Sequence, residues 1–222
     1  MIKTKFSILS IALALVLACS GMIFSACGNT HTTAQGSGKA TEAVTEAETN
    51  ADITPVAEGA KAIIDVKDYG KITVELYPDI APITVSNFVT LAKSGFYDGL
   101  TFHRIMEGFM IQGGDPLGNG TGGSEQNIYG EFAANNFENN LSHTRGVISM
   151  ARNGFDYNSA SSQFFIVHED STFLDGQYAS FGKVVDGMDV VDKIATDAKP
   201  VDDNGTIPSS KQPVINSVTI EE

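Results

Sequence analysis

The sequence contains no tryptophan and two cysteines, Cys19 and Cys27, both inside an N-terminal apolar segment. The rest of the chain has no thiol, which excludes a disulfide framework and a cysteine-based zinc site there. Basic residues are few. Lys and Arg number 14 against 27 Asp and Glu, a net charge of −13, and no basic stripe gathers them. That excludes nucleic acid as a partner, because such binding rests on neutralised phosphates, and it excludes charge-driven adhesion to anionic lipid. Hydrolase patterns are missing as well: there is no H-E-x-x-H and no G-x-S-x-G, and the four histidines, His31, His103, His143 and His168, are scattered. What the chain does have is 222 residues with 42% hydrophobic content, enough for one domain with a buried core and an appendage.

The appendage is N-terminal. Lys3 and Lys5 precede an apolar run from Phe6 to Phe24, diluted by Ser7, Ser10, Ser20 and Gly21. A basic start, an apolar stretch and small residues after it form an export signal. Its end, Phe24-Ser25-Ala26-Cys27-Gly28, resembles a bacterial lipoprotein processing box. The resemblance implies a signal peptide over 1–26, a lipidated Cys27 as the mature N-terminus, and export to the extracytoplasmic face of a membrane. Cys19, after Val16-Leu17-Ala18, is the second candidate for lipidation, and a plain cleaved signal or an uncleaved anchor is the other reading. One acyl chain binds a membrane only marginally, so stable attachment needs more than one. Residues 28–59 have no Phe, Tyr, Trp or Leu and are dominated by Thr, Ala, Glu and Gly. Such a stretch cannot bury enough apolar area to offset the entropy of ordering, so 27–59 reads as a flexible tether. Gly36-Ser37-Gly38-Lys39 is not a phosphate loop, since Ala40 stands where Ser or Thr is required and no strand precedes it.

Residues 60–222 read as the folded domain. Ala62–Val66 and Lys71–Tyr77 alternate as strands around the turn Asp68-Tyr69-Gly70. Val85, Phe88, Val89 and Ala92 recur at helical spacing, with Pro82 fitting the first turn and Gly95 the stop. Further strands are expected at 101–106, 109–113, 146–151, 163–167, 181–184 and 214–220, the last pairing with the first, and a second helix over Asp186–Ile194. Residues 114–145 are rich in Gly and Asn and predict long loops. The G-x-G-x-x-G match at Gly118–Gly123 is followed by no helix pattern, which argues against a dinucleotide site.

One stretch stands apart: Phe102 to Asp115, FHRIMEGFMIQGGD. Strict alternation is lost, and Arg104 and Gln112 sit among apolar residues. Glu107-Gly108 marks a tight connection and Gly113-Gly114-Asp115-Pro116 a stop. Two strands joined by a short turn would present one cation and one amide beside an apolar surface, which suits an apolar, barely charged substrate such as a prolyl peptide. The stretch resembles the signature of cyclophilin-type peptidyl-prolyl isomerases. GVISMAR (146–152), SSQFFI (161–166) and FLDGQYASFGKV (173–184) resemble the same family in the same order. The resemblance implies a mainly β fold, a closed eight-stranded antiparallel barrel with a helix over each end. It further implies catalysis of Xaa-Pro rotation without cofactor, metal or covalent intermediate. Proline-containing peptides and unfolded exported proteins would be the partners, and a monomer is expected.

By position in the matching motifs, Arg104 would be the catalytic donor to the prolyl nitrogen, and Phe109, Met110, Phe165 and Leu174 the apolar socket. Gln112 would orient Arg104 and the substrate, Gln163 would touch the substrate backbone, Ala151 and Arg152 would line the neighbouring groove, and His103 would border the pocket. Without the resemblance, Arg104 would read as the ion-pair partner of Glu107 or Asp115. Phe173 occupies the place of a tryptophan in many members and Tyr178 that of a histidine. Phenylalanine lacks the indole N–H, so weaker binding of cyclosporin-like drugs is expected. Arg152 stands where an asparagine is common, which would favour acidic residues near the proline. A proline-binding chaperone that keeps the fold without the turnover is the alternative function.

Overall fold

The computed structural model describes residues 55–222. The signal segment, Cys19, Cys27 and nearly all of the tether lie outside them, and among the described residues no helix is long and apolar enough to cross a membrane. The described residues begin a little before the expected boundary at 60. Val56 packs against the core, and Ala60 N–H donates to Ala57 O at 3.3 Å.

The strands are β1 (Lys61–Val66), β2 (Gly70–Leu76), β3 (Thr101–Met106), β4 (Met110–Asp115), β5 (Val147–Met150), β6 (Phe164–Val167), β7 (Ser180–Asp186) and β8 (Ile215–Glu221); the helices are α1 (Pro82–Lys93) and α2 (Met188–Asp197). All pairings are antiparallel, in the order β3-β4-β6-β5-β7-β2-β1-β8. The first and last strands pair, as expected. Full closure is not found. The outer strands β3 and β8 share no ladder and touch only at their ends, through the bridge Thr101–Val214 and bonds such as Phe102 N–H to Pro213 O at 3.0 Å and Ile215 N–H to Leu100 O at 2.8 Å. The expected closed barrel is therefore a strongly curled open sheet. A bulge between Asp65 and Val66, where β1 meets β8, adds local twist of the kind that curls a sheet.

Alternation explains what goes inside. Ala62, Ile64 and Val66 of β1 and Ile72, Val74 and Leu76 of β2 are buried, while their neighbours are not. They meet Phe88 and Val85 of α1 and the rings of Tyr97, Phe102, Phe164 and Phe181. Phe88, Tyr97 and Phe164 pack with centroids 5.2–5.6 Å apart, and each such ring buries a large apolar area. α1 packs on β8, and α2 on β2 and β4.

α1 starts at Pro82, but its N-cap residue Ala81 has no side chain to cap with. The cap comes from far along the chain. Glu131 Oε1 accepts Ile83 N–H at 3.0 Å and Oε2 accepts Thr84 N–H at 2.8 Å. A carboxylate on the first-turn donors also faces the positive end of the helix dipole. At the other end Gly95 sits at φ +74° and its N–H reaches Ala92 O, the expected stop.

Candidate active site

The site forms on the outer face of β3, β4 and β6, and a bulge creates it. Phe102 pairs with Gly113 and Arg104 with Gln112, so His103 is the extra residue between two pairs of the ladder. Without it, Phe102 and Arg104 would point the same way. With it, Phe102 and Ile105 both enter the core while Arg104 and Met106 turn outward. This is why alternation fails in the sequence there, and why a bulge beside a functional side chain is a meaningful feature. Gly114, next to last in β4, sits at φ +82°, and a Cβ on it would lie 2.5 Å from Ser162 O.

Arg104 is held by neutral partners. Its Nε donates to Asn204 O at 2.7 Å and its Nη1 to Gln112 Oε1 at 3.2 Å. Gln112 Nε2 then donates to Gln163 Oε1 at 2.9 Å, and Gln163 Nε2 to Gly122 O at 2.7 Å. The donors run one way along this chain, from guanidinium to loop carbonyl. Arg104 forms no ion pair with Glu107 or Asp115. Asp115 is occupied with the backbone N–H groups of Leu117, Asn119 and Gly120. Partial burial pulls the Arg104 pKa down from its ordinary value, with Tyr178 and Asp202 acting against it.

Beside Arg104 lies a second apolar cluster, separate from the core: Met110, Val147, Phe165, Val167 and Leu174, with Phe109, Ala151 and Tyr178 packed on it. It lines a socket of about 130 Å³ bounded by Arg104, Phe109, Met110, Gln112, Ala151, Arg152, Phe165, Leu174 and Tyr178. An apolar cavity of about 150 Å³ accepts a benzene-sized ring, so this one suits a five-membered ring. Next to it is a polar cavity of about 370 Å³ lined by Gly120–Ser124, Asn127, Asn153, Ser159, Ser161 and Gln163, sharing Gln112, Ala151 and Arg152 with the socket.

Phe165 is supported from behind. The His143 ring stacks on it at 6.0 Å, and Tyr178 meets it edge-on at 5.9 Å. His143 Nδ1 lies 2.8 Å from Asp175 Oδ1 and Nε2 lies 3.0 Å from Ser149 Oγ. The connectivity is that of a serine–histidine–aspartate triad, but Ser149 is 0% exposed and no substrate can reach it. The trio is a brace, tying the loop that carries Leu174 and Tyr178 to β5. Burial pushes the His143 pKa down, with Asp175 pulling back. Burial opposes ionisation of Asp175, but the His143 N–H, the Ser142 hydroxyl and the imidazole outweigh it and hold the carboxyl below its usual value.

Of the anticipated residues, Arg104, Phe109, Met110, Gln112, Ala151, Arg152, Phe165, Leu174 and Tyr178 converge on the socket, and Gln163 on the adjoining cavity. Two stand elsewhere. Phe173 is 67% exposed and touches the rim through Phe109, with centroids 5.6 Å apart. His103 is buried as the bulge residue and lines a third cavity with Asn119, Asn204 and Thr206, which adjoins the socket through Arg104 and Gln112. Its two ring nitrogens have no partner among the described residues, and burial lowers its pKa. Sequence reasoning missed Asn204, which anchors Arg104 by a backbone carbonyl that no residue type advertises. It missed Phe132 and Tyr157 beside Arg152 as well. The glycine run tested as a nucleotide loop could have drawn attention, since Gly122 closes the amide chain.

An apolar socket for one small ring, a guanidinium at its mouth and an amide chain beside it come together on a curled antiparallel sheet. Residues 62–222 match the model of the cyclophilin type peptidyl-prolyl cis-trans isomerase/CLD family, and the chain belongs to that family of isomerases. It is 48% identical over 147 residues to peptidyl-prolyl cis-trans isomerase-like 1 of Rhizopus delemar, covering 64% of this chain and 86% of the relative. It is 49% identical over 124 residues to peptidyl-prolyl cis-trans isomerase B of Bacillus subtilis, covering 56% and 82%. Among solved structures, a Cryptosporidium parvum cyclophilin type peptidyl-prolyl cis-trans isomerase, crystallised in the presence of the dipeptide Ala-Pro, superposes with a TM-score of 0.64 at 30% identity, over 73% of this chain and 99% of that one.

Proposed function

We propose that this isomerase accelerates Xaa-Pro rotation in exported polypeptides while held to a membrane by lipid on Cys27, and that Arg104 supplies the catalytic hydrogen bond. The peptide bond resists rotation because of its partial double-bond character, with a barrier of ~18–20 kcal/mol. Twisting it removes the resonance and leaves a lone pair on a pyramidal prolyl nitrogen. A donor aimed at that lone pair stabilises the twisted form and has nothing to bind in the planar one, which is differential binding. The proline ring sits in the socket against Phe165, Met110, Phe109 and Leu174. Gln112 fixes the guanidinium, and Gln163 presents its amide to the peptide backbone. No bond is made or broken. The observation carrying this reading is that Arg104 lines the socket, held by Asn204 O, Gln112 and the sulfurs of Met106 and Met110, and paired with no carboxylate among the described residues. The Ala-Pro dipeptide present with the related crystal structure supports a prolyl ligand.

The test is the rate of cis–trans exchange in an Xaa-Pro peptide. Arg104→Ala is expected to lower kcat/KM by about 10²–10³-fold, as removal of a single preorganised donor does elsewhere. Equal rates for wild type and variant would leave a proline-holding module instead. Mass spectrometry of the mature N-terminus tests the tether: an acylated Cys27 is expected, and a start elsewhere overturns it.

A further inference from the structure

Arg152 lies on the ridge between the two cavities and lines both. Three rings surround its guanidinium: Cζ is 5.2 Å from the centroid of Phe132, 5.0 Å from Tyr157 and 4.8 Å from Tyr178. Nε donates to Gln177 O at 2.9 Å and Nη1 to Asn153 O at 2.8 Å. These contacts fix the guanidinium in place and leave its charge unanswered. Among the described residues no carboxylate pairs with it, and Nη2 has no hydrogen-bond partner.

The surroundings point the same way. The chain carries a net charge of −13. Yet the socket, the 370 Å³ cavity beside it and the cavity on the other side of Arg104 are lined by no Asp or Glu at all. Arg104 and Arg152 are the two permanent charges on these walls. Arg104 is aimed at the proline and has Asp202 nearby. A rigid arginine fork packed on aromatic faces is a preorganised receptor for a carboxylate, and its ring contacts leave it charged.

We propose that Arg152 is a specificity determinant, selecting clients with an acidic side chain flanking the proline and seating its carboxylate in the larger cavity against Nη2. This rests on the isomerase reading of the same groove and adds what stands next to the proline. A half-exposed pair of this kind is worth about 1 kcal/mol, or about fivefold in kcat/KM.

The test uses the full chain and Xaa-Pro peptides carrying Glu, Gln or Lys in turn at each of the two residues on either side of proline. Exchange is read by NMR without a coupling protease, and dissociation constants are measured in parallel. At one position Glu is expected to exceed Gln by about fivefold, with Lys below both, and high salt should shrink the ratio in the wild type. In Arg152→Gln the Glu-to-Gln ratio should fall to about one. A wild-type ratio near one at every position in both readouts, or a preference that salt and Arg152→Gln leave untouched, overturns the proposal. Absence of turnover for all wild-type peptides overturns the isomerase reading instead, and the ratio of dissociation constants then still decides the role of Arg152.

Discussion

Replacing Glu131 by alanine isolates a stabilising contact that lies far from the socket. The side chain is 0% exposed and caps α1 from 47 residues downstream. Its loss leaves the Thr84 N–H buried without an acceptor, at about 1–3 kcal/mol, and removes a helix cap worth about 1 kcal/mol. Relief of the buried carboxylate and water entering the vacated space offset part of this. A net loss of about 2–3 kcal/mol is expected. For a domain of this size that is a fall in Tm of about 4–12 °C. Glu131→Gln keeps one acceptor oxygen and should lose about half as much. The pH dependence sharpens the test. Burial raises the Glu131 pKa, with the Ile83 and Thr84 donors pulling back. A carboxyl whose folded pKa lies above its unfolded value stabilises the fold most below the unfolded value, and that increment is lost as pH rises through the folded one. The glutamine variant, which cannot titrate, should therefore show its larger deficit in acid and a smaller one at neutral pH. Urea unfolding followed by far-UV circular dichroism is the assay, because there is no tryptophan to follow. An alanine variant within about 0.5 kcal/mol of wild type would refute the reasoning, since surface substitutions alone reach that size.

Gly114→Ala should cost several kcal/mol, at least about 3, because φ is +82° and the new methyl meets Ser162 O; a soluble variant with wild-type urea midpoint would contradict this. His103 and His143 both have pKa values lowered first of all by burial, so the unfolded chain takes up protons that the native one refuses as pH falls below about 6.5. Stability should decline on that acid limb, and His143→Gln should flatten it; an unchanged slope would show that the imidazole does not titrate with unfolding. Asp175→Asn loosens the brace under Phe165 and should raise KM more than it lowers kcat, read from exchange rates at varied peptide concentration.

Local periodicity made most of the elements legible. The alternation in Ile72, Val74 and Leu76 and the 3.6-residue recurrence of Val85, Phe88, Val89 and Ala92 are properties of neighbours in sequence, and the strands and helices fall within a few residues of where those patterns put them. The loss of alternation at Phe102–Arg104 was visible too, but its meaning, a bulge at His103, depends on pairing with β4. Three matters were not legible, for one shared reason. The cap on α1, the Asn204 carbonyl behind Arg104 and the Phe132 and Tyr178 rings beside Arg152 join residues far apart in sequence, and no local pattern encodes them. Closure of the sheet was overstated because strand count does not say whether the edges of β3 and β8 run alongside each other. Phe173 holds the position of the family's tryptophan by motif, but as the neighbour of the inward Leu174 on a tight turn it faces out.

The two apolar clusters sit on opposite sides of one sheet. Alternate side chains of β4 and β6 have different duties: Ile111, Phe164 and Ile166 pack in the core, while Met110 and Phe165 line the socket, so a substitution at Met110 or Phe165 should alter the socket and leave the packing of Ile111, Phe164 and Ile166 largely intact. A lineage built this way can drift in what it binds without first acquiring a reserve of robustness. Laboratory libraries confined to the outward positions should accordingly yield a high fraction of folded members.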